Sequence, residues 1–176
     1  MYTVRLWTVR HAGAMGAIYA AFERALTACD PLLRWIGYDR LETPAVLVER
    51  GVKGFLFDCQ MCGQCALSAT GASCPMNCPK QLRNGPCGGV RPNGNCEVKP
   101  EMRCVWVEAY EGSQKIATGA EIHRVQKPLD HRKWGRSAWL GVLRQRREPP
   151  PTGPAAKTRA ASPPAEAKSK TIDRAA

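Results

Sequence analysis

No stretch of the chain approaches the roughly 20 consecutive apolar residues of a membrane-spanning helix. A secretory signal is also missing. Met1 to His11 carries Arg5 and Arg10 without an uninterrupted apolar core, and Gly13, Gly16, Glu23 and Arg24 break the stretch that follows. Acidic residues are scarce, 15 against 26 Lys and Arg, which leaves a formal charge of +11. None of them precedes Glu23, so an Arg-containing organelle transit peptide also fits the start. No nucleophile–base pair and no convergent carboxylates stand out, which argues against an independent catalytic site. The three histidines, His11, His123 and His131, read as surface residues.

The chain is long enough for one ordinary domain. What it has in excess is cysteine: nine residues, eight of them between Cys59 and Cys104. In a secreted domain that density would suggest disulfides. Without a secretory signal, the expected compartment is the cytoplasm, where thiols stay reduced and metal chemistry is the natural use.

The N-terminal third is expected to be helical. Met15, Ile18, Tyr19, Phe22, Leu26 and Cys29 recur at steps of three and four and make one apolar stripe. Cys29 on that stripe reads as a small buried hydrophobe. Asp30-Pro31 looks like the N-cap and first position of a second helix, which carries Leu32, Leu33, Trp35 and Ile36 and stops near Gly37. From Asp58 to Val105 periodicity disappears, and Gly, Pro and Asn punctuate the chain. Such a stretch cannot fold by burying an apolar face, so the cysteines must organise it. Ser137 to Arg147 reads as a short basic helix with Trp139, Leu140, Val142 and Leu143 turned inward. Beyond Arg147 the Pro, Ala, Lys and Ser composition predicts disorder.

The fold expected is a small, irregular, α-rich, metal-stabilised domain. Its parts are an N-terminal helical extension over 1–43, a cysteine-rich domain over 44–147 and a disordered tail over 148–176. The charge excess concentrates in one segment: Arg124, Lys127, Arg132, Lys133, Arg136, Arg144, Arg146 and Arg147 face one acid, Asp130. That composition suits an acidic partner surface or, less well, nucleic acid, and it also describes an ordinary solvated face.

The candidate ligands are Cys59, Cys62, Cys65, Cys74, Cys78, Cys87, Cys96 and Cys104. Three cysteines two residues apart, Cys59, Cys62 and Cys65, can wrap one corner of a cubane while a fourth arrives from a distance. Zinc sites more often use paired knuckles, so the triple run favours iron–sulfur. Cys74-Pro75 and Cys78-Pro79 repeat the Cys-Pro ending of ferredoxin runs. Eight cysteines allow two four-cysteine sites, a cluster plus a zinc, or one cluster with four structural thiols. Gly63, Gly71, Gly85, Gly88, Gly89 and Gly94 would allow the tight turns that wrap a metal site.

Longer motifs carry a resemblance. They are Leu56-Phe57-Asp58-Cys59, Cys62-Gly63-Gln64-Cys65-Ala66-Leu67, Cys74-Pro75 and Cys78-Pro79-Lys80, followed by Arg83-Asn84-Gly85-Pro86-Cys87-Gly88-Gly89, Gly94-Asn95-Cys96-Glu97-Val98 and Cys104-Val105-Trp106. Gln126-Lys127-Pro128-Leu129-Asp130, Trp134-Gly135 and Ser137-Ala138-Trp139-Leu140 extend it. The stretch over roughly 44 to 145 resembles the methylene-tetrahydrofolate reductase C-terminal domain family, found fused to folate proteins or as a free-standing small subunit. The resemblance implies an accessory role beside a flavin-containing TIM-barrel methylene-tetrahydrofolate reductase, which holds the flavin and folate sites. It implies one or two [4Fe–4S] clusters, or zinc, on the eight cysteines, and electron relay to or from the flavin in one-carbon metabolism. An acidic electron-donor protein is a further expected partner. The alternatives are a structural zinc module that stabilises the reductase and, least favoured, a basic zinc-ribbon-like nucleic-acid binder.

Overall fold

A computed structural model of the chain describes residues 2–147. The expected disordered tail over 148–176 lies outside them. Six helices follow in order: α1 (Tyr2–Arg10), α2 (Ala12–Ala28), α3 (Asp30–Ile36), α4 (Tyr38–Phe57), α5 (Val105–Ser113) and α6 (Ala138–Gln145). Among the described residues there are no named strands, only isolated antiparallel bridges, Val90 with Cys96 and Asn95 with Arg103. The helix-rich architecture is as expected.

Single residues, His11, Cys29 and Gly37, separate the first four helices. Gly37 turns the chain at φ 95, a region glycine enters without a Cβ penalty. Asp30 sits inside α3 and its carboxylate bonds the Tyr38 hydroxyl, so the expected N-cap is displaced by one residue. α4 runs continuously through residues 43 and 44. Together with the rest of the chain up to Gln145 it belongs to one compact unit.

One expectation about burial is corrected. Cys29 is exposed. α2 fully buries only Ala12, at its beginning; on the expected stripe Ile18 faces outward, Met15, Tyr19 and Leu26 are half-buried, and Phe22 packs on the Trp139 ring at 4.7 Å. Trp134 is likewise exposed and stacks on His131 at 5.9 Å. The other expectations for the C-terminal helix agree: Leu140 and Leu143 of α6 are buried, and Trp139 is half-buried.

α4 is amphipathic in an inverted sense. Its inner face buries Glu49 and Lys53, while Leu47, Val48, Val52 and Phe55 lie exposed. α1 repeats the pattern: Arg5, Thr8 and Val9 are buried, and Trp7 is half exposed. Arg5 pairs with Glu108 of α5 at 3.3 Å, both side chains nearly inaccessible. Burial raises the Glu108 pKa, and Arg5 opposes that shift. These helices therefore pack through charged and hydroxyl groups that must find partners inside, because an unpaired buried charge is costly.

Candidate metal centre

α4 ends at Asp58, whose left-handed conformation (φ 52) redirects the chain and delivers Cys59. From there the backbone makes tight turns. Gly71 holds φ 55 and lies against Gly112 of α5, where a Cβ would collide with backbone. Gly85 packs so closely on the Trp106 ring that a side chain has no room. Ser73 donates to the Val105 carbonyl at 3.1 Å and fixes this loop to α5.

Cys59, Cys62, Cys65 and Cys74 line one cavity, together with Glu49 and Lys53 of α4. Cys62 and Cys74 are buried against Met76, with Leu67 and Leu129 beside them. Cys59 and Cys74 are hydrogen-bonded to each other, which lowers the Cys59 pKa against the effect of burial. The Met61 N–H and Lys53 lower it further, to about 7. The same bond, with burial, pushes Cys74 well above its ordinary value. Burial also raises Cys65, with Lys53 opposing.

The remaining four cysteines do not line that cavity. Cys78 and Cys104 share an apolar cluster with Val105, Trp106 and Ala109. The chain from Cys87 to Cys104 folds back on itself: Glu97 N–H donates to the Gly89 carbonyl, Cys96 N–H to Met102, and Cys104 N–H to Gly94. Cys87 Sγ accepts the Gly89 N–H at 3.4 Å and lies 3.6 Å from Lys80 Nζ.

A local geometry recurs at four cysteines. Cys59 accepts the backbone N–H of Met61, Cys65 that of Leu67, Cys74 that of Met76 and Cys87 that of Gly89. In each case the donor is two residues beyond the sulfur. Backbone N–H groups turned onto sulfur stabilise a thiolate and are the outer-shell support that thiolate ligands of metals require. The donor set thus fits a thiolate-held metal group. Among the described residues, no three His, Cys, Asp or Glu side chains converge as the ligands of one ion do; the first four thiols surround a cavity.

Glu49 and Lys53 were not foreseen from the sequence. Lys53 Nζ donates to Glu49 Oε1 at 2.6 Å, both nearly inaccessible to solvent. Burial alone would lower the Lys53 pKa, but Cys65 and Glu49 raise it above its ordinary value. Glu49 also accepts from Ser137 Oγ at 2.7 Å and from the N–H groups of Ala138 and Trp139 at 3.2 and 3.4 Å. It thereby caps the start of α6, which lies over the first cysteine set. The i, i+4 spacing of Glu49 and Lys53 is the one signal a sequence reading could have used. His11, His123 and His131 are exposed as expected. Among the described residues no helix is long and apolar enough to cross a membrane.

These features define a class: a small helical domain whose loops bring Cys59, Cys62, Cys65 and Cys74 around one cavity. Residues 38–132, just over half of the chain, match the family described as methylene-tetrahydrofolate reductase C terminal, and the chain belongs to that family. The match begins where α4 begins. No curated protein and no solved structure matches the chain.

Proposed function

We propose that the chain is an iron–sulfur accessory subunit of a flavin-containing, TIM-barrel methylene-tetrahydrofolate reductase, and that it relays electrons to or from the partner's flavin without being catalytic alone. The observation that carries this reading is the gathering of Cys59, Cys62, Cys65 and Cys74 around one cavity in a domain of this family. Those four would hold one centre, and Cys78, Cys87, Cys96 and Cys104 the other. Clusters, when bound, supply one-electron exchange, which a flavin can collect in pairs. The chain's own residues orient sulfur through the N–H groups of Met61, Leu67, Met76 and Gly89, and α4 and α6 shield the first set from water.

The partner half of the reading is supported by the outer surface of the helices. Leu47, Val48, Val52 and Phe55 share one face of α4, and Trp35 of α3 is 84% exposed. Contiguous apolar faces of this kind mark protein interfaces. The α4 face ends one turn before Cys59, so a partner seated on it would lie close to the first cysteine set.

Protein purified without oxygen and assayed for iron, sulfide and zinc, with its visible spectrum, tests the cofactor. The expected result is a brown protein with roughly four to eight irons per chain, bleached on reduction. A colourless protein with stoichiometric zinc overturns electron relay and leaves a structural module.

A further inference from the structure

We propose that Lys53 is the charge-compensating residue of the first cysteine set: its buried ammonium offsets the net negative charge that Cys59, Cys62, Cys65 and Cys74 carry as thiolates around metal, and so decides how firmly that set keeps its metal. The proposal rests on the metal reading above, but not on the identity of the metal. Four thiolates around one divalent ion, or around a cubane core of charge 2+, leave the same negative excess.

Three observations converge on Lys53. Its side chain is 3% exposed, a position in which an ammonium is strongly disfavoured unless opposite charge lies close. Its hydrogen-bonding is incomplete: an ammonium has three donors, and the one side-chain acceptor found for it among the described residues is Glu49. Glu49 is itself shared, since Ser137, Ala138 and Trp139 also donate to its carboxylate. The Trp139 ring covers the ammonium from another side, at 5.1 Å. Finally, Lys53 lines the cavity of the first cysteine set. A cation thus shares with the four sulfurs a buried site where few water molecules can screen it, and there a charge interaction is far stronger than at the surface.

The lysine beside the second set is placed differently. Lys80 lies 3.6 Å from Cys87 Sγ, but its side chain is 38% exposed and paired with Glu97. Solvent screens such a contact. The two sets should therefore differ in their response to loss of the nearby lysine.

The test compares Lys53→Met and Lys53→Arg with the wild-type chain, purified without oxygen, by metal retained per chain during challenge with a chelator. Lys53→Met should lose the metal of the first set about tenfold faster, as outer-shell substitutions commonly do, while the second set keeps its own and reports an intact fold. Lys53→Arg should stay near wild type. Where the metal is iron–sulfur, the reduction potential of the first centre should fall in Lys53→Met and rise in Glu49→Gln, opposite signs that a packing defect would not produce. Retention of both sets by Lys53→Met at the wild-type rate overturns the proposal. If Lys53→Met loses both sets, Lys53→Met with Glu49→Leu removes the ion pair as a unit. Continued loss from the first set alone then supports charge compensation, and wild-type retention overturns it. A wild-type chain that binds no metal at all would defeat the cofactor reading itself, an outcome distinct from any behaviour of the variants.

Discussion

Glu49 accepts the hydroxyl of Ser137 at 2.7 Å across 88 residues of chain. One carboxylate on α4 thus fixes the start of α6, while its other oxygen holds Lys53. Ser137 in turn accepts the Leu140 N–H at 3.3 Å and completes the N-terminal turn of α6. A negative group here also meets the positive end of the helix dipole. Three elements that the sequence separates, α4, α6 and the first cysteine set, are coupled through this one side chain.

Replacing Glu49 by Ala should therefore destabilise the domain by about 3–5 kcal/mol, the cost of stranding a buried partner charge. Glu49→Gln, which keeps an acceptor, should cost less. Urea unfolding followed by circular dichroism measures both. An effect of Glu49→Ala below about 1 kcal/mol, the range of surface pairs, would show that the carboxylate does not couple α4 to α6.

The cysteines should lose function in two groups. Cys62→Ser or Cys74→Ser should each remove about half of the bound metal, and so should Cys87→Ser or Cys96→Ser, since a four-thiolate site depends on all its ligands. Combining Cys62→Ser with Cys74→Ser should cost no more than either alone. Combining Cys62→Ser with Cys87→Ser should empty both sites. Metal analysis of the six proteins distinguishes this grouping from any other, and additive losses within one group would refute it.

Glu42 supplies a prediction for acid. Its carboxylate feels burial, which raises its pKa, but the Ser137 N–H at 2.8 Å and Arg144 at 2.8 Å outweigh that, so its pKa lies below the ordinary value. A depressed folded pKa means stability that is present above the unfolded pKa, about 4.3, and is lost as pH falls through the folded value. The stability gap between wild type and Glu42→Gln should thus be constant from neutral pH down to about 5 and should close on further acidification. Taking the difference at each pH cancels the acid loss of metal that both proteins share. A gap that widens in acid would contradict the assignment.

Much of the candidate site was legible in the sequence, because cysteines announce themselves by type and spacing. The turns between them were legible too, since glycines such as Gly71 and Gly85 mark places where backbone or ring approaches closely. The helices were harder. A hydrophobic stripe normally points inward, but Leu47, Val48, Val52 and Phe55 of α4 and Ile18 and Cys29 of α2 face outward. Glu49 is buried because Lys53 and residues 137–139 supply its partners. Arg5 and Glu108 are likewise more than a hundred residues apart. Periodicity cannot reveal such pairs. Nor could it reveal that part of the basic segment's charge is paired within the domain, with Arg132 on Asp130, Arg136 on Glu42, and Arg144 on both Glu42 and Asp39.

That internal pairing decides between two faces for a permanent partner. The basic segment would attract an acidic protein by long-range steering, which salt weakens. The outer face of α4 offers Leu47, Val48, Val52 and Phe55 around Gly51, a glycine with open space where its side chain would be. A helix or loop can approach such a position closely, and burial of the four apolar side chains would stabilise the contact without regard to salt. Val52→Glu and Phe55→Glu should each abolish co-purification with the reductase while metal content stays at the wild-type value, because about half of each residue is open to solvent and can carry the carboxylate outward. Arg132→Glu with Lys133→Glu should leave co-purification intact and slow electron delivery from an acidic donor at low salt. Pull-down at low and high salt, with stopped-flow reduction of the complex, measures the two effects separately. If the α4 substitutions leave the complex intact and the basic ones dissolve it, the partner is held by charge, and the exposed face of α4 is no interface.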